Sequence, residues 1–525
     1  MNESDDSTVH RLVVVTILLL AVFALSYRYL DSQTIEGLDS AHTIMDGFYF
    51  HDLIVDLPLN PVSYTLNYYR QYPALGFLFW PPFFPFLLGI GFLAGGLDIR
   101  IAHWCLFGFS FLMVWMAYLV ARRILPRAVS VLAALLIITT PIVGRESIIL
   151  MREIPALALA LATFLVYLRF VESPGWKRGF LLAATGAAAL YTKQTIVFIY
   201  PVLAFDLLVN HRGLLRDRRF WATAALLALL VAPLAVFTLG FSKVSVQQSL
   251  GSDRSYILGR VPTLDRWSME AWTYYPGALP HILNPLILVL AIGASAYALR
   301  RNEFFRSNAM WFGWILAWLA VFSWMLAKEV RHAILWVPGW CMLAASLVAE
   351  APRWNPRLKH VQWVLAIPVL IGASQTMQYR PPAYEGVQTL VNKLVDSSPG
   401  GNFMYFGRNR QVFIPYIRMR DTRRKIFTLQ GDDVTAQVPI VPACHDYRVI
   451  YVIGEEEDAD FRRALPQMEQ SPEFSNMGAA QISPTWRAPI SMRIFRYNGP
   501  MASRMRTVPL NSKLATDRLN EYVKP

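Results

Sequence analysis

Charge is scarce in this sequence, and cysteine scarcer still. Asp, Glu, Lys and Arg make up only 16% of the 525 residues, against about a quarter in a soluble domain. A chain this long would ordinarily form several soluble domains, and the lack of charge excludes that reading for most of it. The three cysteines, Cys105, Cys341 and Cys444, form no metal-ligand spacing, and two of them lie inside apolar runs. That excludes a disulfide framework and a structural zinc site. The N-terminus, MNESDDSTVHR, lacks the basic start of a signal peptide, and no small-residue cleavage site clearly follows it. Leu12–Tyr27 therefore reads as a retained helix. No internal repeat is visible.

What is there is apolar sequence: 55% of the residues are hydrophobic. They gather into runs near the length that crosses ~30 Å of hydrocarbon as a helix. The runs fall at about 12–27, 101–120, 128–143, 154–170, 179–191, 195–209, 220–239, 283–299, 309–326, 333–349 and 362–377. Lipid tolerates only backbones that satisfy their own hydrogen bonds. The expected fold is thus a polytopic α-helical membrane protein with about eleven transmembrane helices. The net charge of +13 does not point to nucleic acid, because the Lys and Arg sit mainly in short loops between apolar runs, as the positive-inside rule requires.

One stretch, Trp80–Leu97, is apolar but carries Pro81, Pro82, Pro85, Gly89, Gly91, Gly95 and Gly96, a density that breaks or bends helices. If it does not cross, the basic loops Arg122–Arg127, Arg169–Arg178, His211–Arg219, Arg300–Arg306 and Arg353–His360 all share the N-terminal, cytoplasmic side. The alternative sends the N-terminus outside. The first arrangement is preferred, with Trp80–Leu97 a partly embedded hairpin or helix. It makes Asn60 and Ala443 extracytoplasmic and Arg123 and Arg216 cytoplasmic. The loop 28–96, the turns Gly144–Glu153 and Tyr191–Gln194, the loop Phe241–Ile282 and the turn Lys328–His332 then face outward, with everything after Gln378.

The expected organisation is a membrane module over 1–380, a soluble extracytoplasmic domain over 381–499, and a loose polar tail over 500–525. In the second part apolar runs shorten to strand length at Asn402–Phe406, Arg448–Ile453 and Met492–Tyr497. An amphipathic helical pattern covers Tyr384–Val395. Short strands alternating with helices predict a small α/β domain.

The outward segments collect ionisable residues: Glu36, Asp39, Asp46, Asp52 and Asp56 in the first loop, then Glu146, Arg152 and Glu153, then Lys193, then Lys328, Glu329, Arg331 and His332. Such groups at a membrane boundary are costly to desolvate and are functional candidates. Each has a plainer reading. Asp52 and Asp56 read best as solvated loop residues. Lys193 could snorkel from a helix end, and Glu329 with Arg331 could be an ion pair fastening two helices. Taken together, carboxylates and cations from four turns would converge at one end of the bundle. That suits chemistry on an anion: Lys193 and Arg331 can hold a phosphate leaving group, and a carboxylate such as Asp39 can serve as base to a hydroxyl.

Four stretches resemble the polytopic, lipid-phosphosugar-dependent glycosyltransferases of the GT-C fold, in the branch of protein O-mannosyltransferases and the aminoarabinose transferase of lipid A. LDSAHTIMDGFYFHDL is similar to the family's acidic first-loop motif, with Asp39 on the catalytic aspartate and Asp46-Gly47-Phe48-Tyr49 on its later half. YPALGFLFWPPFFPFLLG is similar to its Pro-Pro juxtamembrane segment. MREIPALALALATFLVYLRF puts Glu153 on a second acidic position, and KEVRHAILWVPGW resembles a Glu-Arg-Tyr segment. Lys193, after GFLLAATGAAALYTK, also fits, and the match covers most of residues 1–350. Ser40 stands where the family usually has glutamate and His42-Thr43 replace its usual pair, so Glu36 or Glu153 would supply the missing charge.

The resemblance implies a GT-C-like membrane module with a small C-terminal extracytoplasmic α/β domain. It implies inverting transfer of a monosaccharide from a polyprenyl-phosphate donor to a lipid, glycan or protein acceptor. Asp39 would be catalytic; Glu36, His42, Asp46, Glu153, Lys193, Glu329, Arg331 and His332 would bind substrate. No cofactor is assigned, a divalent metal is left open, and the expected site is a bacterial inner membrane with the active face outward. Two rivals remain. A transporter or flippase would show repeats and charges at mid-span, and a non-catalytic scaffold would not need the acidic first loop.

Overall fold

The computed structural model describes residues 8–76, 80–240 and 264–508. They form two compact units. One is Met1–Asp31, Leu78–Phe84 and His103–Tyr379; the other is Ser32–Phe77, Pro85–Ala102 and Arg380–Pro525.

The first unit is helical, and every apolar run of the sequence falls on a helix. Its longer members are Thr8–Ser26, Ile99–Ala121, Arg127–Thr139, Glu153–Glu172, Trp176–Thr192, Ile199–Asn210, Arg218–Gly240, Pro285–Ala298, Ala309–Trp324, Val337–Trp354 and Ala366–Gln378. Five stretches are long and apolar enough to cross a bilayer unaided: Thr8–Ser26, Ile99–Ala121, Glu153–Glu172, Arg218–Leu239 and Val330–Trp354. The protein is an integral membrane protein. Small residues let its helices approach closely. A Cβ on Gly372 would fall on the Thr139 carbonyl, and one on Gly144 would meet the Thr376 hydroxyl.

One departure concerns the loop expected over Phe241–Ile282. Residues 241–263 lie outside the described residues, but Met269–Ile282 is a helix. Ser268 caps it by accepting from the Ala271 amide, which satisfies one of the orphan donors of a helix start.

The second unit holds a six-stranded sheet: β1 (Tyr384–Glu385), β2 (Asn402–Phe406), β3 (Thr428–Gln430), β4 (Val449–Glu455), β5 (Phe474–Pro484) and β6 (Ile490–Tyr497). The order is β1-β5-β6-β4-β2-β3. β3, β2 and β4 run parallel, and β6, β5 and β1 complete an antiparallel edge. The helices Val387–Ser397, Arg410–Arg420 and Ala459–Gln470 cover it. The amphipathic pattern expected from Tyr384 thus begins three residues later, because Tyr384 and Glu385 pair as a strand. The expected loose tail is also ordered as far as Val508. The Ala502 and Arg506 amides donate to the His445 and Asp446 carbonyls, and Val508 joins the apolar core. Residues 509–525 lie outside the described residues.

The first loop belongs to this second unit. Its helices Leu38–Asp56 and Pro61–Gln71 pack with the C-terminal part through ion pairs described below. Trp80–Leu97 yields one helix, Phe83–Gly95.

Candidate active site

In the helical unit, three of the turns expected to face outward meet. Glu153 opens the helix Glu153–Glu172 and is 2% exposed. Lys193 ends the helix Trp176–Thr192, where the chain turns extended. Its Nζ donates to Glu153 Oε1 at 2.6 Å. Arg331, from the 3₁₀ turn Val330–Leu335, places Nε 3.3 Å from the same oxygen. Arg331 Nη2 donates to Glu329 at 2.7 Å, and Nη1 lies 3.3 Å from the Met151 sulfur. Thus Glu153, Lys193, Glu329 and Arg331, all anticipated, form one cluster. Its logic is electrostatic. One buried carboxylate at the positive end of a helix holds two cations side by side that would otherwise repel. Lysine has three donors and arginine five, so each cation keeps donors beyond the bond to Glu153.

The turn that carries Arg331 is held by aromatics. Trp318 stacks between Phe322 at 4.4 Å and Trp336 at 4.6 Å, with Tyr275 edge-on at 4.8 Å. The Trp314 indole donates to the Leu335 carbonyl at 2.6 Å and that of Trp336 to Ile315 at 3.0 Å. His332 sits against Phe322, ring to ring at 5.3 Å, and its buried Nδ1 has no hydrogen-bond partner among the described residues.

Lys328 does something else. It is fully buried and its Nζ donates to the carbonyls of Phe322 at 2.9 Å, Ser323 at 2.6 Å and Met325. All three donors are spent on the C-terminal end of the helix Ala309–Trp324, a favourable place for a cation. Burial lowers its pKa to about 8. Lys328 is a cap rather than a ligand. Arg152, beside Glu153, places its guanidinium over the Trp80 ring at 4.8 Å, which ties the Pro-Pro segment to the second acidic position.

The remaining candidates lie in the second unit. Asp39 stands in the first turn of its helix and is partly exposed. Its backbone carbonyl accepts from the Thr43 hydroxyl at 2.9 Å. Glu36, just ahead of the helix, is buried. His42 Nδ1 donates to the Ala74 carbonyl at 2.7 Å, and Asp46, fully buried, accepts from the Gly76 amide at 2.7 Å. One helical turn apart, His42 and Asp46 pin the loop that follows the next helix.

Asp52, expected to be solvated, is instead 2% exposed. It accepts from Arg418 Nε at 2.9 Å and Nη2 at 2.6 Å, from the Tyr68 hydroxyl at 2.9 Å, and faces His51 at 2.9 Å. Asp56 pairs with Arg424, whose Nη2 donates at 2.7 Å, and accepts from Tyr64 at 2.8 Å. The hydrogen bonds from Arg424 hold the Asp56 carboxyl below its ordinary value against the upward push of burial. Arg418 and Arg424 were not anticipated. The only signal was the basic run RMRDTRRK, which nothing local connects to an acidic helix 366 residues away. Among the described residues, no group of three or more His, Cys, Asp or Glu side chains gathers as a metal site.

Residues 80–237 match the family described as dolichyl-phosphate-mannose-protein mannosyltransferase. Among solved structures, the chain is similar to ArnT from Cupriavidus metallidurans bound to undecaprenyl phosphate. The two share 12% identity over 93% of this chain and 98% of that one, with a TM-score of 0.60. It is similar to the archaeal oligosaccharyltransferase AglB from Archaeoglobus fulgidus, in complex with an inhibitory peptide and a dolichol-phosphate, at 12% identity over 95% and 75% of the two chains and a TM-score of 0.56. It is also similar to the arabinofuranosyltransferase AftD from Mycobacteria, at 14% identity over 93% and 40% and a TM-score of 0.53. The chain has the GT-C fold. No curated protein sequence matches it. The GT-C expectation of the sequence is met, and the family stretch contains Trp80, Arg152, Glu153 and Lys193 together.

Proposed function

We propose that this chain is a membrane glycosyltransferase that moves a monosaccharide from a polyprenyl-phosphate carrier to a hydroxyl acceptor with inversion. The observation that carries the reading is the pair of cations, Lys193 and Arg331, held on one buried carboxylate at the ends of membrane helices. A lipid phosphate is an anion delivered at such a boundary, and preorganised cations stabilise it as it departs. The GT-C relatives support the choice of donor, since ArnT was solved with undecaprenyl phosphate and AglB with a dolichol-phosphate.

In the reaction, the acceptor oxygen bonds to the anomeric carbon while the bond from that carbon to the phosphate oxygen breaks. The electron pair leaves with the lipid phosphate, toward Lys193 and Arg331. The acceptor proton passes to a carboxylate, for which Asp39 is proposed on its place in the acidic motif and its partial exposure. Glu36 is a buried neighbour of that motif, and His332 sits beside Arg331. The compartment proposed is a bacterial plasma membrane with the reacting groups facing outward, and the acceptor is a lipid, glycan or protein. Whether a divalent ion takes part is read from transfer with and without EDTA. No observation favours a transporter: Glu153 opens a helix, Lys193 closes one, and residues 328–332 link two, so these charges lie at helix ends rather than mid-span.

The test uses the full chain in nanodiscs. A lipid-linked sugar should co-purify and be identified by mass spectrometry. Lys193→Ala and Arg331→Ala should each lower donor use by ~10-fold or more, the loss expected for one charge-assisted hydrogen bond, and should weaken donor use more than folding. Wild-type transfer by both variants would refute the phosphate role.

A further inference from the structure

The second unit contains a cleft of about 250 Å³ lined by Gln33, Leu97, Gln388, Asn392, Tyr416, Met419 and Arg420. Four segments build it. Gln33 comes from the stretch leading to Asp39, and Leu97 from just after the helix Phe83–Gly95. Gln388 and Asn392 are one turn apart on the helix Val387–Ser397, and Tyr416, Met419 and Arg420 share one side of the helix Arg410–Arg420, spacings that place side chains on a common face. The frame is tied together. The Gln388 amide donates to the Gln33 side chain, and the Tyr416 hydroxyl donates to the Gln33 carbonyl at 2.8 Å.

The polar groups left over decide what the cleft can hold. Each amide offers two donors and one acceptor oxygen. Gln33 and Gln388 spend one group each on the other, and the Asn392 amide has no hydrogen-bond partner among the described residues. Arg420, the cation in the lining, is already paired with Asp396, so the cleft does not call for an anion. Leu97 and Met419 add apolar surface. The volume lies just below the ~300–1,000 Å³ of pockets for drug-sized ligands. Uncharged donors and acceptors facing inward, beside a strip of apolar surface, suit a ring that carries hydroxyls on its edge and C–H groups on its face. The cleft also adjoins the acidic first loop. Burial, and then the nearby Glu36 charge, push the Tyr416 hydroxyl up, which puts the cleft floor within electrostatic reach of the residues just ahead of Asp39.

We propose that this cleft is an acceptor subsite for a neutral, hydroxyl-rich glycan unit. The proposal rests on the transferase reading and narrows its acceptor. The amides of Gln33, Gln388 and Asn392 would hydrogen-bond the ring hydroxyls, and Met419 and Leu97 would contact its apolar face.

Saturation-transfer NMR on the full chain in nanodiscs tests it. The probes are a panel of neutral oligosaccharides of hexoses, pentoses and deoxyhexoses, set beside phosphorylated sugars and unglycosylated peptides. At least one neutral glycan should bind, and a Gln388→Ala/Asn392→Ala double variant should bind it at least ~10-fold more weakly. Asn392→Leu alone should also weaken it; this variant breaks no hydrogen bond within the protein and so keeps the test open if the double variant does not fold. Binding of undecaprenyl phosphate is measured in parallel and should be the same in the wild type and the variants. Failure of the wild type to bind that lipid would undo the transferase reading while leaving the glycan result to be read on its own. The cleft proposal is overturned if no neutral glycan binds, if only peptides or phosphorylated sugars bind, or if the variants bind glycan as the wild type does.

Discussion

At the scale of single residues, Glu153 and Asp39 ask opposite things of a carboxylate. Glu153 is buried against Lys193 and Arg331, and its task is to stay charged and still. Glu153→Gln removes the counter-ion and leaves two cations in a poorly solvated place. Breaking a buried pair in this way costs about 3–5 kcal/mol, so the thermal unfolding midpoint should fall. Lys193→Met added to it should recover part of the loss, because one unbalanced charge is gone. A midpoint unmoved by Glu153→Gln would mean that the cations do not depend on it. Asp39 sits partly exposed in the first turn of its helix, in keeping with the role proposed for it. Asp39→Asn keeps the shape and removes the proposed base, and loss of a general base costs about 10²–10⁴-fold in rate. Transfer should fall at least ~100-fold while the donor still binds and the fold holds. Full activity in that variant, together with its loss in Glu36→Gln, would shift the base to Glu36.

At the scale of elements, what was legible in the sequence was whatever has a local period. Every apolar run became a helix, and Asn402–Phe406 became a strand with the bounds its composition implied. What was not legible was pairing across distance. β5 begins FSNMGAA, with no apolar alternation and mostly exposed side chains after Phe474, so its strand character comes from its neighbour β6 rather than from its own pattern. Asp52 looked solvated because its partner, Arg418, lies 366 residues on. The same blindness hid the role of Lys328, since its work is done by backbone carbonyls that no pattern reveals. The Asp52–Arg418 pair is testable as an element-to-element clasp. Asp52→Ala should destabilise the protein by about 3–5 kcal/mol by orphaning Arg418, and Asp52→Leu with Arg418→Met should destabilise it less than the single change. A double variant that is the worse of the two would place the value of the pair in something other than charge balance. Asp56 gives the matching pH test. Its folded-state pKa lies below the ordinary carboxylate value, chiefly through the hydrogen bonds from Arg424. The stability it contributes is therefore present above the unfolded-state pKa and is lost as pH falls through the folded one. Asp56→Asn should flatten that acid limb of the unfolding curve and change nothing at neutral pH that is not equally present at high pH.

At the scale of the whole molecule, the second unit constrains the path of the chain through the bilayer. The first loop and the C-terminal part belong to one compact unit, joined through Asp52–Arg418 and Asp56–Arg424. Segments that share such a unit share a side of the membrane. The chain between them must therefore cross an even number of times, a condition that the ten apolar runs from Ile101 to Met377 meet if each crosses once and Trp80–Leu97 does not. That stretch forms a proline- and glycine-rich 13-residue helix, Phe83–Gly95. On that count parity agrees with the basic loops, by an argument that does not use charge. Impermeant thiol labelling of intact cells tests it. The native cysteines give a quiet background, since Cys341 and Cys444 are buried and only Cys105 is partly open, so Cys105→Ser supplies the parent. Asn60→Cys in the first loop and Gln470→Cys in the sheet unit are both at exposed positions, and both should label. Arg123→Cys and Arg216→Cys should label only after the membrane is permeabilised. Labelling of Asn60→Cys without Gln470→Cys would break the parity argument. Labelling of Arg123→Cys in intact cells would invert the protein and carry Lys193, Arg331 and Asp39 to the wrong face for a donor presented outside the cytoplasm.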